Sequence, residues 1–255
     1  MDHIKRVEEE FTRQADTFAA YAPKADINLE TRFSEALGTA GQGHILDLAC
    51  GPGVVSAALA KAASHVTAFD ATPAMLEKAR TRCEEAGLDN VSFEQGDATT
   101  LPFADSTFDA VVTRLAIHHF ERPKDVAAQV YRSLRPGGRF VIADVLVSDI
   151  PEEAMLQNAI EYLRDPSHIR MFPAEELDRL VTDAGFRILE TSTWDKAREF
   201  EEWMGIANDP RRTQSLRTVA HALAAEGRSA GMGLSLKDDA IVFFHRWRLI
   251  TGEKT

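Results

Sequence analysis

The stretch LDLACGPG, residues 46–53, decides how the rest of the chain is read. An apolar run enters it and Gly51 and Gly53 close it, the pattern of a buried strand ending in a tight turn. VVSAALAKAAS, 54–64, follows as a helix. HVTAFD, 65–70, is a second strand ending on an acid. TPAMLEKARTRCEEAG, 72–87, is a helix with Thr72 as N-cap, Pro73 at its first position and Gly87 as its stop. VSFEQGD (91–97), FDAVVTRLA (108–116) and RFVIADVL (139–146) are further strands. Between the last two lie the helix RPKDVAAQVYRSL, 122–134, and the turn RPGG, 135–138. Strands and helices alternate, and the strands are rich in Val, Ile and Phe. That is the signature of a doubly wound α/β fold, a parallel sheet wrapped by helices on both faces.

Outside this unit the pattern changes. VEEEFTRQADTFAAYA places Val7, Phe11, Ala15, Phe18 and Tyr21 on one helical stripe, interrupted by Pro23. A second helix, INLETRFSEALGT, runs up to the glycines at 41 and 43. From 151 to about 185 the chain is mostly helical, broken by the polar knot RDPSH at 164–168. RILETSTWD, 187–195, is a strand, 198–227 is helical, and DDAIVFFHRWRLITGE, 238–253, is a long late strand. The chain is therefore read as one domain: a helical cap over 1–40, a ligand-binding core over 41–147, a helical cover with the sixth strand over 148–230, and the last strand over 231–255.

Composition narrows the function. The chain has 255 residues, with 29 Lys plus Arg against 40 Asp plus Glu, a net charge of −11. That balance repels a phosphate backbone, so nucleic acid is not the expected partner. The start, MDHIKRVEEE, has no apolar signal segment, and no apolar run approaches the roughly 18 residues of a membrane span. Two cysteines, Cys50 and Cys83, lack metal-type spacing. The expected setting is cytoplasmic, with no membrane partner and no metal.

In an open α/β sheet the ligand sits beyond the carboxyl ends of the strands. Gly51 and Gly53 let the backbone approach it closely. Asp70, ending the second strand, suits ribose hydroxyls, so the ligand carries a nucleoside. A pyrophosphate prefers a helix N-terminus without an acid nearby. Asp47 therefore favours a ligand with a cationic group, such as the ammonium or sulfonium of S-adenosylmethionine. Asp97, ending the third strand, suits the exocyclic N–H of an adenine. The three acids form a line: methionine end, ribose, adenine.

These residues resemble the class I S-adenosylmethionine-dependent methyltransferases, and most nearly the branch of the ubiquinone and menaquinone C-methyltransferases and their small-molecule relatives. The resemblance covers about residues 40 to 147, through ILDLACGPG, VTAFDATPAML, VSFEQGDATTLPFADSTFDAVVTRLAIHHF and LRPGGRFVIADVL. It implies a seven-stranded, mostly parallel sheet of order 3-2-1-4-5-7-6 with the seventh strand antiparallel. It also implies a cofactor site of Asp47, Gly51, Gly53, Asp70, Asp97 and Ala98, to which Ala49, Ala71 and Arg114 are added. Tyr21 is added as an aromatic closing over the cofactor, against the alternative that it belongs only to the core stripe. The implied cofactor is S-adenosyl-L-methionine, with S-adenosyl-L-homocysteine as product, and the substrate is a small molecule methylated on oxygen or activated carbon. A nicotinamide-dependent oxidoreductase, a binder that transfers no methyl, and a methyltransferase for protein or nucleic acid are the competing readings.

His118 and His119, in RLAIHHF after the fourth strand, are the candidate bases and are indistinguishable from spacing. Arg114 fits a methionine carboxylate or a substrate anion. In RDPSH, Arg164 and His168 are candidates for the substrate crevice, against the alternative of a plain helix break. Trp203 is a candidate wall for an apolar substrate pocket. The oligomeric state is not legible.

Overall fold

The computed structural model describes residues 3–24 and 28–255. The start of the second expected helix, at residue 27, lies outside the described residues. The chain opens with helix α1 (His3–Tyr21) and α2 (Leu29–Leu37). Five strands then alternate with helices: β1 (His44–Leu48), α3 (Val54–Ala60), β2 (His65–Asp70), α4 (Pro73–Glu85), β3 (Val91–Gln95), β4 (Phe108–Arg114), α5 (Pro123–Ser133) and β5 (Leu134–Leu146). After α6 (Pro151–Arg164) and α7 (Ala174–Asp183) come β6 (Phe186–Glu199), α8 (Phe200–Ile206), α9 (Pro210–Ala225), β7 (Ser235–Lys237) and β8 (Ala240–Lys254).

The sheet order is β3-β2-β1-β4-β5-β8-β6, with β7 paired to β8 alone. β1 to β5 run parallel, and β8 is antiparallel to both β5 and β6. The order matches the expected one once β8 is taken as the seventh long strand. β7 is an addition. It closes a hairpin through Asp238 and Asp239, both left-handed at φ 49° and 63°. That is the two-residue turn whose central residues both need positive φ, met here by two aspartates instead of Asn-Gly.

Side-chain alternation along the strands builds one core on each face. Ile45, Val141, Ala143 and Val145 pack with Phe33, Leu37, Val55 and Leu59 of α2 and α3. Leu46, Leu48, Phe140 and Ile142 pack with Val126, Val130, Leu177 and Val181 of α5 and α7. Thus α2, assigned to the cap, and α7, assigned to the cover, both serve the sheet. RPGG does not separate a helix from a strand. It sits inside the irregular start of β5, where the pairing with β4 slips between Phe108 and Ala110. The cover has a core of its own, with Ile160 of α6, Phe200, Trp203 and Met204 of α8, Leu216 and Ala220 of α9, and Phe243 of β8. No described helix is long and apolar enough to cross a membrane.

Gly53 shows what one glycine of the first turn does. It is the N-cap of α3 at φ 73°. A Cβ there would lie 2.7 Å from the Ala79 Cβ and 2.8 Å from its Cα, so it allows α3 and α4 to meet rather than opening space for a ligand. Gly53→Ala is expected to cost about 2–5 kcal/mol from left-handed strain and overpacking together. A thermal melt checks this, with Tm falling by about 5–15 °C; an unchanged Tm would remove the packing argument.

Candidate functional site

The carboxyl ends of β1 to β4 and the inner face of α1 enclose a cavity of about 280 Å³. Asp47, Ala49, Gly51, Asp70, Ala71, Asp97, Ala98, Arg114 and His119 all line it. Phe18, Phe11 and Val7 close it from α1, and His3 Nε2 donates to the His119 carbonyl at 2.7 Å. Ala49 and Leu115 stand on its wall at φ 55° and 52°. Left-handed alanine and leucine are strained, and such strain concentrates where backbone is shaped for a ligand.

Three carboxylates lie along the cavity, each fixed differently. Asp47 is 1% exposed and accepts from Ser56 Oγ at 2.5 Å. Burial outweighs that hydrogen bond and the charge of Arg114, pushing Asp47 up to about 6. A buried carboxylate held this way is completed by a cation. Asp70 accepts from the Gly51 N–H at 2.8 Å and the Thr72 N–H at 2.9 Å, which ties the first turn to the end of β2. Its burial also raises its pKa, against those backbone donors. Asp97 accepts from the Thr99 N–H at 2.8 Å and caps a single turn of 3-10 helix.

The two histidines separate clearly. His118 is buried, with Nδ1 at 2.5 Å from Asp144 Oδ1, and Asp144 Oδ2 accepts from the Ile117 N–H at 2.8 Å. Burial opposes charge on His118, but the Asp144 carboxylate prevails and raises its pKa. His118 is thus an anchor that pins the loop after β4 to the end of β5. His119 is pushed down to about 4 by burial and by the neighbouring His118 charge. Ser167 Oγ lies 2.6 Å from Asp165 Oδ1 and 3.2 Å from His119 Nδ1. The serine gives its one proton to the carboxylate, so Nδ1 of His119 carries hydrogen and Nε2 keeps its lone pair.

A second chamber, about 60 Å³, adjoins the first beneath α1. Phe11, Phe18, Leu115 and His119 line both. Tyr21, Arg164 and Trp203 line this chamber, along with His118. Tyr21, expected over the cofactor, lies instead beneath the Arg198 guanidinium, 4.8 Å from its ring centroid, and does not line the large cavity. His168, expected at the substrate, reaches neither cavity. It is buried with Nε2 at 2.9 Å from Asn158 Oδ1, and burial and the charge of His118 push it down to about 3. Its segment is the helix break that RDPSH suggested, with Asp165 capping the turn and, of the two expected site residues, only Arg164 lining the chamber.

Sequence reasoning missed Arg198, His245 and Trp247. Arg198 and Lys196 share a face of β6, and Phe243, His245 and Trp247 share the facing side of β8, because Lys196 pairs with His245 and Arg198 with Phe243. The one local signal is the alternation Lys-x-Arg at 196–198 in a strand that ends beside the cover.

The profile of the methyltransferase domain family matches residues 45–138. The uncharacterized methyltransferase YcgJ of Bacillus subtilis is 28% identical over 217 residues, spanning 83% of this chain and 85% of that protein. The ubiquinone/menaquinone biosynthesis C-methyltransferase UbiE of Roseobacter denitrificans is 35% identical over 170 residues, 58% of this chain and 67% of that protein. The solved structure of YcgJ superposes with a TM-score of 0.82 at 25% identity, covering 90% of this chain and 99% of that one.

Proposed function

Because the chain belongs to the class I S-adenosylmethionine-dependent methyltransferases, we propose that it methylates an oxygen or activated carbon of a small molecule. The observation that carries this reading is the junction at His119, a neutral imidazole shared by a cavity lined with acids and an aromatic inner chamber. When bound, S-adenosylmethionine supplies a methyl already activated by sulfonium charge. The protein then has to place an acceptor in line with it and exclude water.

The residues fit that cofactor. The buried Asp47 carboxylate suits the ammonium of the methionine end, and Arg114 suits its carboxylate. Asp70 keeps acceptor capacity beyond its two backbone donors and suits ribose hydroxyls. Asp97 suits the adenine amine. Ala49, Gly51, Ala71 and Ala98 supply backbone wall. His119 takes the acceptor's proton on Nε2, with Ser167 and Asp165 holding its tautomer. Tyr21, Arg164 and Trp203 surround the acceptor. The chamber under α1 suits a small molecule, and the net charge of −11 disfavours nucleic acid.

Asp70→Ala is expected to weaken S-adenosylmethionine binding by about 1–3 kcal/mol. Calorimetric titration checks it, and unchanged affinity would sink the ribose assignment. The wider reading is tested by incubating the enzyme with methyl-labelled S-adenosylmethionine and a panel of phenols, enols and quinols. Label in a small product is expected. Label only in protein or nucleic acid would overturn it.

A further inference from the structure

The inner chamber holds more hydrogen-bond donors than acceptors. Among the described residues of this chamber, Arg164 Nη1, Arg198 Nε and Nη2, His245 Nε2 and Trp247 Nε1 are buried without a hydrogen-bond partner. Buried donors are normally paired, and each one left over points to a missing acceptor. The carboxylates nearby are already committed. Glu161 lies 3.1 Å from Arg164 Nε and 3.3 Å from His245 Nε2. Asp165 accepts from Gln14, from the Ser167 hydroxyl and from the Ser167 N–H.

Arg198 is the centre of the imbalance. It is 6% exposed, and among the described residues no carboxylate lies within 4 Å of it. Its Nη1 lies 3.4 Å from His245 Nδ1. Nε and Nη2, the two unpartnered nitrogens, form one edge of the guanidinium. That edge is the fork that takes both oxygens of a carboxylate or phosphate. The group is rigidly mounted: Tyr21 lies under Arg198 at 4.8 Å, and Trp203 under Arg164 at 4.7 Å. Glu202 and Glu161 act on Arg198 only from beyond contact distance, and a buried cation without a contacting counter-charge is costly unless an anion completes it.

We propose that the methyl acceptor is an anion, and that the Nε–Nη2 edge of Arg198, with Arg164 Nη1 and the Trp247 indole N–H, receives its carboxylate or phosphate oxygens. This rests on the acceptor chamber assigned above. The chamber, at about 60 Å³, has room for the anionic head, and the flat body extends past Phe11 and Phe18, which line both cavities, to the junction where His119 meets the nucleophilic atom. The acceptor class is therefore a small aromatic or enolic acid, or its phosphate counterpart. Burial lowers the pKa of Arg198, yet an arginine stays charged throughout the working range, so binding follows the ionisation of the ligand.

The test uses the full chain saturated with S-adenosylhomocysteine. It is titrated calorimetrically with 4-hydroxybenzoate, 4-hydroxyphenyl phosphate and the neutral isostere 4-hydroxybenzamide. At least one anion is expected to bind about tenfold or more tightly than the amide. Arg198→Met should abolish that preference while still binding S-adenosylhomocysteine, which shows that the variant has folded. Arg198→Lys, with charge but no fork, should restore only part of it. A carboxylate ahead of the phosphate identifies a carboxylic acid acceptor, and the reverse order a phosphate monoester. Equal binding of amide and anions, a preference that survives Arg198→Met, or no binding of any of the three would overturn the proposal. Should Arg198→Met fail to fold, the amide and anion comparison in the unaltered enzyme decides alone. Failure to bind S-adenosylhomocysteine would instead strike the cofactor assignment, and the three ligands would then be compared on the unliganded chain by tryptophan fluorescence.

Discussion

Methyl transfer by His119→Ala is expected to fall by about 10²–10⁴-fold, while affinity for S-adenosylmethionine changes by less than about threefold. His119 lines the large cavity where it joins the inner chamber, and in the proposed reaction its Nε2 is the nitrogen that the acceptor meets. With its pKa pushed down to about 4, it is neutral, with a lone pair available, at every pH above that value. The rate with bound cofactor should therefore be flat between about pH 5 and 8 on this residue's account. His118 behaves differently. Removing it leaves Asp144 as a buried, unpaired charge, and that loss appears first as instability. The sign follows from both partners. The raised pKa of His118 gives stability present below 6.5 and lost as pH rises through the folded value. The lowered pKa of Asp144, where the His118 charge prevails over burial, gives stability present above 3.8 and lost as pH falls through its folded value. The pair therefore contributes most between 3.8 and 6.5, and its contribution is gone beyond the two folded-state values. Comparing single-turnover rates with melts separates the two roles. Normal turnover by His119→Ala would remove it as the base.

Asp47→Asn is expected to weaken S-adenosylmethionine binding about 100-fold, or about 3 kcal/mol, and yet to leave the cofactor-free protein as stable or more so. The opposite signs have one cause. Asp47 has a folded-state pKa raised from 3.8 to about 6, so its contribution to folding is fully present below 3.8 and is lost as pH rises through about 6. At neutral pH the ionised carboxylate costs the empty fold on the order of 3 kcal/mol, and the ligand's cation returns it. The asparagine keeps a partner for Ser56 without the charge. For the unaltered protein the same shift predicts a pH dependence. Affinity for S-adenosylmethionine should decline below about pH 6, approaching tenfold per unit. Calorimetry at pH 5 and 7.5, alongside melts of the cofactor-free variant, reads both effects. A variant that loses stability and keeps affinity would show Asp47 to be structural only.

What could be read in advance was local. Asp47 and Asp70 lie at the ends of β1 and β2 and Asp97 two residues past the end of β3, and parallel topology brings strand ends to one crevice, so their place followed from chain order. Gly53 sits in the same motif, but its role is set by Ala79 on another helix, and nothing in the spacing points there. The two histidines could not be separated because the deciding partner, Asp144, is 26 positions away on the neighbouring strand. Tyr21 shares a stripe with Phe11 and Phe18, yet one further turn of α1 carries it past the large cavity to Arg198. The inner chamber was least legible of all. Arg198, His245 and Trp247 meet through the antiparallel pairing of β6 with β8, a long-range register that local periodicity does not contain. His168 misled because a polar residue in a helix break looks purposeful, whereas here Asn158 occupies it.

Calorimetric titration of the purified protein with S-adenosylmethionine, S-adenosylhomocysteine and NAD asks whether the acids beside LDLACGPG hold a cationic adenosyl ligand. Saturable, roughly micromolar binding of the first two is expected, weakened in Asp47→Asn, with none of NAD. Binding of NAD alone would contradict this, and would mean that Asp47 serves the turn and not the ligand.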